Sequence, residues 1–176
     1  MEWDQIVEQY SSIVWRTVSR LVPEKADAAD CFQRTIISAW ELSQKQPIRH
    51  WPALLHRLAT ARALERRREL ARNHVRHCEF PNEGVIDRRA SDPVNDAEAT
   101  ELEVRLRIAL ADIAPREAEV FCLACLEGLD YREIGSQMDL TVNHVGVLLN
   151  RARSQLRSRL MGFVSNPNSH ETEDSQ

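Results

Sequence analysis

The chain has 176 residues, a formal net charge of −4, four cysteines and only five glycines. That length suits one ordinary domain or two small ones, and the absence of an apolar run of about 18 residues excludes a membrane span. The acidic, amphipathic start MEWDQIVEQY differs from a secretory signal, and the cysteines lack the spacing of secreted disulfide proteins. We therefore expect a cytoplasmic protein without membrane insertion.

Helical periodicity runs along the chain, and no convincing alternating strand pattern interrupts it. The sequence thus predicts an all-α fold of two small helical domains joined by a flexible linker. The predicted helices span about 2–21, 23–42, 51–72, 97–112, 115–127, 131–138 and 142–160. They give an N-terminal domain (1–79), a linker rich in proline and turn formers (80–96), a C-terminal domain (97–161) and a disordered acidic tail (162–176).

The second predicted helix carries two stripes. Phe32, Ile36 and Ala39 form its packing face. A second stripe, at steps of three and four, begins polar and ends apolar: Asp30, Gln33, Ile37 and Trp40. From the residues alone, its apolar end is also compatible with packing against a neighbouring helix.

The third predicted helix changes character along one face, which reads Trp51, Leu55 and Leu58 and then Arg62 and Arg66. Its second half is therefore predicted to leave the core and meet an anionic partner. Five further arginines add charge around it: Arg57, Arg67, Arg68, Arg72 and Arg76. Such local patches, rather than total charge, govern nucleic-acid binding. The alternative is a solvated basic helix end.

The C-terminal part has the layout of a helix-turn-helix. Asp130 and Thr141 can cap its two helices, and Met138, Asp139 and Leu140 make the turn. On the second helix the predicted inner face is Val142, Val145, Leu149, Ala152 and Leu156, with Leu148 at its edge. The outward face presents Asn143, Val147, Asn150, Arg151, Ser154, Arg157 and Ser158, with His144 on its flank. Valine can meet a thymine methyl, Asn and His can bond base edges, and Arg can hold phosphate. The alternatives are a solvated face on a helical bundle and the output domain of a response regulator.

Metal and catalytic chemistry have little support. Cys122 and Cys125 lie in an apolar helical run, where cysteine behaves as a small core residue. His74, His77 and Cys78 lie at a helix end, whereas a zinc site needs four convergent ligands. The chain has no P-loop, no dinucleotide fingerprint and no paired carboxylates. We therefore predict no metal, no cofactor and no enzymatic activity.

The C-terminal block IAPREAEVFCLACLEGLDYREIGSQMDLTVNHVGVLLNRARSQLRSRL resembles region 4 of bacterial sigma factors, above all of the extracytoplasmic-function (ECF) type. The resemblance implies that this unit reads the promoter −35 element. The residues to which this role is assigned are Asn143, His144, Val147, Asn150, Arg151, Arg153 and Arg157. Three positions depart from the family: Asp139 replaces the usual turn glycine, and Gly146 and Leu148 stand where basic residues are common.

The run ADAADCFQRTIISAW, from Ala26 to Trp40, is similar to sigma region 2.2, which docks on the coiled coil of the polymerase β′ subunit. The resemblance assigns docking to Asp30, Gln33, Arg34, Ile37 and Trp40, although Arg34 reverses the usual acidic charge. The following loop, KQPIRHWP, corresponds to the family's pocket for an unstacked base of the −10 element. The residues assigned to the −10 element are Arg49, His50, Trp51, Arg57, Arg62 and Arg66.

The resemblance covers about residues 5–76 and 97–160, and the chain has no room for the additional regions of larger sigma factors. It implies binding to core RNA polymerase through the β′ coiled coil and the β flap, binding to promoter DNA, and an anti-sigma factor or other regulator. Two alternatives remain open. One is a helix-turn-helix regulator that does not bind polymerase, and the other is a sigma-derived interaction protein that no longer reads promoters.

Overall fold

The computed structural model describes the backbone of residues 3–77 and 95–164 and the side chains of residues 3–73 and 101–161. The all-α prediction is confirmed, because every regular element in these ranges is helical. The helices are α1 (Trp3–Leu21), α2 (Lys25–Lys45), α3 (Trp51–His77), α4 (Asn95–Asp112), α5 (Pro115–Phe121), α6 (Tyr131–Met138) and α7 (Val142–Val164). Within the described ranges, no helix is long and apolar enough to cross a lipid bilayer.

The helices α1, α2 and α3 form an N-terminal unit in which α3 packs against both of the others. Its centre contains Val14 and Val18 of α1, Ala39 of α2, and Leu55 and Ala59 of α3, all of them fully buried. The alanines at two of these positions, Ala39 and Ala59, allow α2 and α3 to approach closely. The buried face of α2 is thereby fixed, and its opposite face is left outside the core.

The helices α4 to α7 form a C-terminal unit with a compact apolar centre. Its buried residues are Val120, Leu123, Ile134, Val145, Leu148 and Leu149. Leu148, predicted at the edge of the inner face, is 6% exposed and packs there. Val142 was predicted on that face as well, but it is 48% exposed. That prediction is wrong, because Val142 is the first residue of α7 and its side chain extends past the end of the core.

The two units pack directly against each other. A single apolar cluster joins residues of α1 and α3 to Leu110 and Ile113 of the α4 end and Leu156 of α7. Helix α3 is the shared element, since it contacts α4, α5 and α6 in addition to α1 and α2. The expectation that the second half of α3 leaves the core is therefore wrong: Ala63 and Leu64 remain buried beyond Arg62.

The chain leaves the α-helical path after Phe121. One helix was predicted over 115–127, but residues Cys122–Leu126 form a π-helical turn, in which the Glu127 N–H donates to the Cys122 carbonyl at 3.0 Å. Gly128 then adopts φ +72°, and the Leu129 N–H donates to the Leu123 carbonyl at 3.0 Å. A π-turn takes an extra residue per turn, so it changes the direction of the side chains that follow. Glu127 consequently faces α1 and α3.

The helix-turn-helix forms as the sequence predicts. The Asp130 carboxylate accepts from the Arg132 and Glu133 N–H groups at 2.8 Å, and Glu133 completes a capping box. Thr141 Oγ1 caps α7 by accepting from the His144 N–H at 3.2 Å. Asp139 adopts the left-handed conformation, with φ 56° and ψ 52°. Aspartate tolerates this region better than most residues, which explains how the turn forms without the family's glycine.

A Gly135→Ala substitution should strongly destabilise this turn, because a Cβ at Gly135 would lie 2.6 Å from the Leu140 carbonyl oxygen. Relief requires a shift of backbone, so we expect a loss of about 2–3 kcal/mol in the free energy of unfolding. Urea denaturation followed by circular dichroism measures it.

Gly146→Ala is the matched control, since its Cβ would meet only the Tyr131 ring edge at 3.7 Å. That variant should gain up to about 1 kcal/mol from helix propensity. Equal stability of the two variants would contradict the close approach of Gly135 to the turn.

Candidate functional site

The outward face of α7 is the first candidate surface. Asn143, His144, Val147, Asn150 and Arg151 are all exposed, and Val147 retains 41% of its accessible surface. The Thr141 cap fixes the first turn of the helix from which they extend. Five of the seven residues predicted for the −35 element therefore share one polar face around a single apolar side chain.

The other two predicted residues, Arg153 and Arg157, border an apolar groove. This groove, of about 460 Å³, lies between α4, α5 and the end of α7. Its apolar lining consists of Leu102, Leu106, Phe121, Leu156, Leu160 and Met161. The Arg153 guanidinium lies 3.7 Å from the sulfur of Cys125, which belongs to the π-helical turn. The positive rim and apolar floor together form a second candidate surface, which we call the α4–α7 groove.

The predicted docking stripe on α2 is a third surface. Asp30, Gln33, Arg34, Ile37 and Trp40 are all exposed, and Ile37 and Trp40 retain 55% and 47% of their accessible surface. The opposite side of α2 supplies the buried residues Ala28, Cys31, Thr35 and Ala39. The apolar end of the stripe is therefore not used to pack the described part of the chain. Two large apolar side chains kept in water beside polar neighbours are typical of a docking surface.

The loop before α3 is only partly as predicted. His50 caps α3, because its Nδ1 accepts from the Ala53 N–H at 3.3 Å, and its Nε2 lies 4.0 Å from the Glu133 carboxylate. Trp51 is half-buried and packs edge-on against Trp3, with ring centroids 5.9 Å apart. Arg49 is exposed. Trp51 is thus in contact with α1 and only partly accessible, so this tryptophan is a less available platform for a base than its sequence position suggests.

Three of the arginines along α3 have partners within the chain. Arg57 donates to the Gln137 carbonyl at 2.5 Å. Arg62 pairs with Glu65 at 3.0 Å, and Arg66 pairs with Asp27 of α2 at 2.7 Å and with Glu69 at 3.1 Å. Hydrogen bonds to Asp27 and Glu69 raise the pKa of Arg66. The anionic neighbour expected for this face is therefore, in this conformation, a set of carboxylates of the same chain.

Arg67 and Arg68 face the C-terminal unit. Burial lowers the pKa of both, and Arg67 also feels the like charge of Arg107 in α4. The buried Nε of Arg67 and the buried Nη2 of Arg68 have no hydrogen-bond partner. Across from Arg68, burial raises the pKa of Glu119, which nearby arginines only partly offset. These contacts between the units carry an electrostatic cost.

A buried polar cluster that the sequence did not predict joins the two units. The Glu127 side chain is only 2% exposed, and its carboxylate lies 3.2 Å from Arg20 Nη1 and 2.9 Å from His56 Nδ1. Thr17 Oγ1 lies 3.1 Å from the same histidine nitrogen. Burial opposes ionisation of Glu127, but His56 and Arg20 outweigh it and hold its pKa below the usual value. Glu127 follows an apolar run as a charged helix-end residue, which is ordinarily solvated, so no local pattern marked it.

Potential metal ligands do not converge in the described part of the chain, where no group of three His, Cys, Asp or Glu side chains could hold an ion. Cys122 is buried, and burial raises the pKa of its thiol, whereas Cys125 is exposed. The His74 and His77 side chains and all of Cys78 lie outside the described residues.

Comparison with known families and proteins gives consistent matches. The family model of sigma-70, region 4 matches residues 104–156. The ECF RNA polymerase sigma factor SigE of Mycolicibacterium smegmatis is 29% identical over 161 residues, covering 90% of this chain and 61% of the relative. The ECF RNA polymerase sigma factor SigG of Mycobacterium tuberculosis is 28% identical over 182 residues, covering 88% of this chain and 48% of the relative. The chain thus spans about half to three fifths of the length of these relatives.

Two solved structures share the fold. The sigma factor RpoE from Bartonella quintana, crystallised with the anti-sigma factor NepR, superposes with a TM-score of 0.56 at 17% identity, covering 90% of this chain and 96% of that chain. CnrH, in complex with the cytosolic domain of CnrY, gives a TM-score of 0.58 at 22% identity, covering 91% and 88%. The predicted resemblance to ECF sigma factors is therefore confirmed.

The lowered pKa of Glu127 predicts a pH dependence of stability. A carboxyl group whose pKa is lowered on folding contributes stability above its unfolded pKa and loses it as the pH falls through the folded value. The difference in the free energy of unfolding between the wild type and Glu127→Gln should therefore be largest at neutral pH. It should decrease in acid, below about pH 4. Urea denaturation of both proteins between pH 7 and pH 3 measures it.

Glu101→Gln is the matched control, since Glu101 is 61% exposed and forms a surface pair with Arg105. The difference in the free energy of unfolding between this variant and the wild type should stay small and change little with pH. A flat profile for Glu127→Gln would contradict the ionised, partnered state of Glu127.

Proposed function

We propose that this chain, which resembles ECF sigma factors along most of its length and matches sigma-70 region 4 over residues 104–156, is a promoter-specificity factor of bacterial RNA polymerase. It would bind the core enzyme, recognise the −35 and −10 elements and help to melt promoter DNA. Its own contribution is binding energy, and polymerase supplies the catalysis.

The observation that carries this proposal is the pairing of two exposed surfaces on one chain. The outward face of α7 has the residue types of a DNA reader, and the α2 stripe ends in exposed Ile37 and Trp40. A free-standing helix-turn-helix regulator needs the first surface and has no use for the second. A sigma factor needs both, because it must hold polymerase and promoter at once.

Each surface suggests its chemistry. On α7, Asn143, His144 and Asn150 would bond base edges, Val147 would contact a thymine methyl, and Arg151 would hold phosphate. On α3 and the loop before it, Arg49 and Arg57 would hold the backbone of the non-template strand beside a flipped −10 base. Arg62 and Arg66 would have to exchange their carboxylate partners for phosphate, which makes that contact dependent on salt.

The α4–α7 groove fits an apolar helix with acidic neighbours, since arginines border an apolar floor. We assign it to the β flap of polymerase. An anti-sigma partner is also proposed, because the RpoE and CnrH structures contain the partner proteins NepR and CnrY.

A pair of substitutions should separate polymerase binding from promoter reading. Ile37→Glu places a carboxylate in the middle of the α2 stripe, and its burial against an apolar partner should weaken binding to core polymerase by tenfold or more. Val147→Glu makes the same change in charge on α7, and it should leave core binding intact while abolishing transcription from a −35-dependent promoter. Co-elution with core polymerase and run-off transcription measure the two effects.

Both substituted valine and isoleucine side chains are exposed, so both variants should keep the wild-type circular dichroism spectrum. Co-elution of Ile37→Glu at wild-type level would refute the docking stripe. Failure of the wild type itself to co-elute would refute the proposed function and revive a regulator that acts without polymerase.

Base-reading and phosphate-holding residues on α7 should differ in their signatures. Asn150→Ala in the reconstituted holoenzyme should relax preference at one base pair of the −35 element, by about 1–3 kcal/mol of discrimination. Arg151→Ala should weaken binding to all DNA sequences equally. It should also reduce the slope of log affinity against log salt concentration by about one. Binding titrations on a set of single-base variants, at several salt concentrations, test both; identical profiles for the two variants would contradict the assignment.

A further inference from the structure

We propose that Cys122 and Cys125 form a dithiol that hydroperoxides oxidise to a reversible disulfide within the chain. The exposed thiol of Cys125 reacts with the peroxide first, and the buried thiol of Cys122 then displaces the oxygen. Neither cysteine has a part in the proposed function, so this site does not depend on whether the chain binds polymerase.

The two cysteines share one helical turn. Both belong to the π-helical segment Cys122–Leu126 and are three positions apart. Residues at that spacing in a helix have Cα atoms about 5 Å apart, within the range that a disulfide spans. Burial and then the charges of Glu127 and Cys125 raise the pKa of the Cys122 thiol, so the two sulfur atoms are near enough to interact. A second thiol is therefore within reach of the first.

The surroundings of the two thiols differ. The sequence predicted a core position for both, which is correct only for Cys122, and a fully buried thiol is inert towards reagents in solution. Cys125 is exposed, and Arg153 Nη2 lies 3.7 Å from its sulfur. A guanidinium in that place offsets the negative charge of a thiolate, which is the form that attacks a peroxide. Cys125 is therefore the thiol that reacts first.

Cys31 has a different environment and serves as an internal comparison. It is buried, its sulfur lies 3.8 Å from the Arg62 carbonyl oxygen, and α2 carries no second cysteine. Burial also raises the pKa of this thiol. Cys31 has neither access to a reagent nor a thiol beside it in its helix, so we expect it to stay reduced.

The reaction consumes one hydroperoxide for two thiols. The Cys125 thiolate attacks one peroxide oxygen, the O–O bond breaks, and Cys125 becomes a sulfenic acid. The Cys122 sulfur then attacks the Cys125 sulfur, so that the S–S bond forms as the S–O bond breaks. The hydroxide that leaves takes the Cys122 proton and becomes water. With hydrogen peroxide, the two cysteines lose two electrons and two protons, and the peroxide is reduced to two molecules of water.

The local backbone makes the disulfide reversible. Cβ atoms three positions apart in a helix are separated by about 5–6 Å, whereas a disulfide needs about 3.8 Å, so the turn has to tighten. Tightening is feasible because the turn is the last of its helix and is followed by Gly128, at φ +72° and with open space around it. A disulfide formed under such strain is easily reduced.

The test treats the folded full chain with hydrogen peroxide and maps its cysteines by proteolysis and mass spectrometry. We expect a Cys122–Cys125 disulfide in the wild type, which dithiothreitol removes. Cys122→Ala should stop at a sulfenic acid on Cys125, which dimedone traps, and Cys125→Ser should leave Cys122 as a free thiol. Because Cys125 is exposed, its variant keeps the test valid even if Cys122→Ala should fail to fold. The control Cys31→Ala should react like the wild type.

A second pair of variants tests the cation beside the sulfur. Arg153→Gln should slow the oxidation of Cys125 severalfold, since the thiolate loses its neighbouring charge. Arg157→Gln is the matched control, because Arg157 borders the same α4–α7 groove, four positions further along α7. Equal oxidation rates in the two variants would contradict the assignment of Cys125 as the thiol that reacts first.

Two results would overturn the proposal. One is a folded wild type in which no Cys122–Cys125 disulfide appears, whether or not Cys125 itself is oxidised. The other is a disulfide that forms only as helix content is lost, followed by circular dichroism, because the thiols would then meet in the unfolded chain.

Discussion

One buried carboxylate lies where the two halves of this protein meet. Glu127 follows a π-helical turn, and its side chain lies between α1 and α3. There its carboxylate contacts Arg20 and His56. A charge in that position is tolerated only because two cationic or hydrogen-bonding partners converge on it. The apolar cluster that runs from α1 and α3 into α4 and α7 packs the two halves together, and at the same boundary Arg20 and His56 supply the partners of the buried carboxylate.

Helix α3 contacts both halves of the protein. Its buried side organises the N-terminal unit, and its cationic side contacts α2, α4, α5 and α6. Three of its arginines, Arg57, Arg62 and Arg66, contact Asp27, Glu65, Glu69 and the Gln137 carbonyl. Three of these partners belong to the N-terminal unit, and only the Gln137 carbonyl belongs to the C-terminal unit.

The C-terminal unit shows how a family pattern can be altered without loss of its geometry. Asp139 takes the left-handed turn conformation that glycine usually provides, while Gly135 keeps the space that the Leu140 carbonyl requires. Leu148 is buried, and Gly146 lies beside Tyr131. The two departures from basic residues on α7 therefore remove charge near the outward face and leave the helix position unchanged.

The sequence by itself determined the helices, the two caps of the helix-turn-helix and the exposed stripe of α2, because each depends on residues within three or four positions of one another. It also indicated which face of α7 points outward, with an error only at its first residue, Val142. Tertiary structure decided the rest. The partners of Arg57 and Arg66, the edge-on contact of Trp51 and the burial of Glu127 involve residues up to 107 positions apart. Whether a charged side chain meets water, a carboxylate or DNA depends on what the fold brings opposite it, and no local periodicity contains that information.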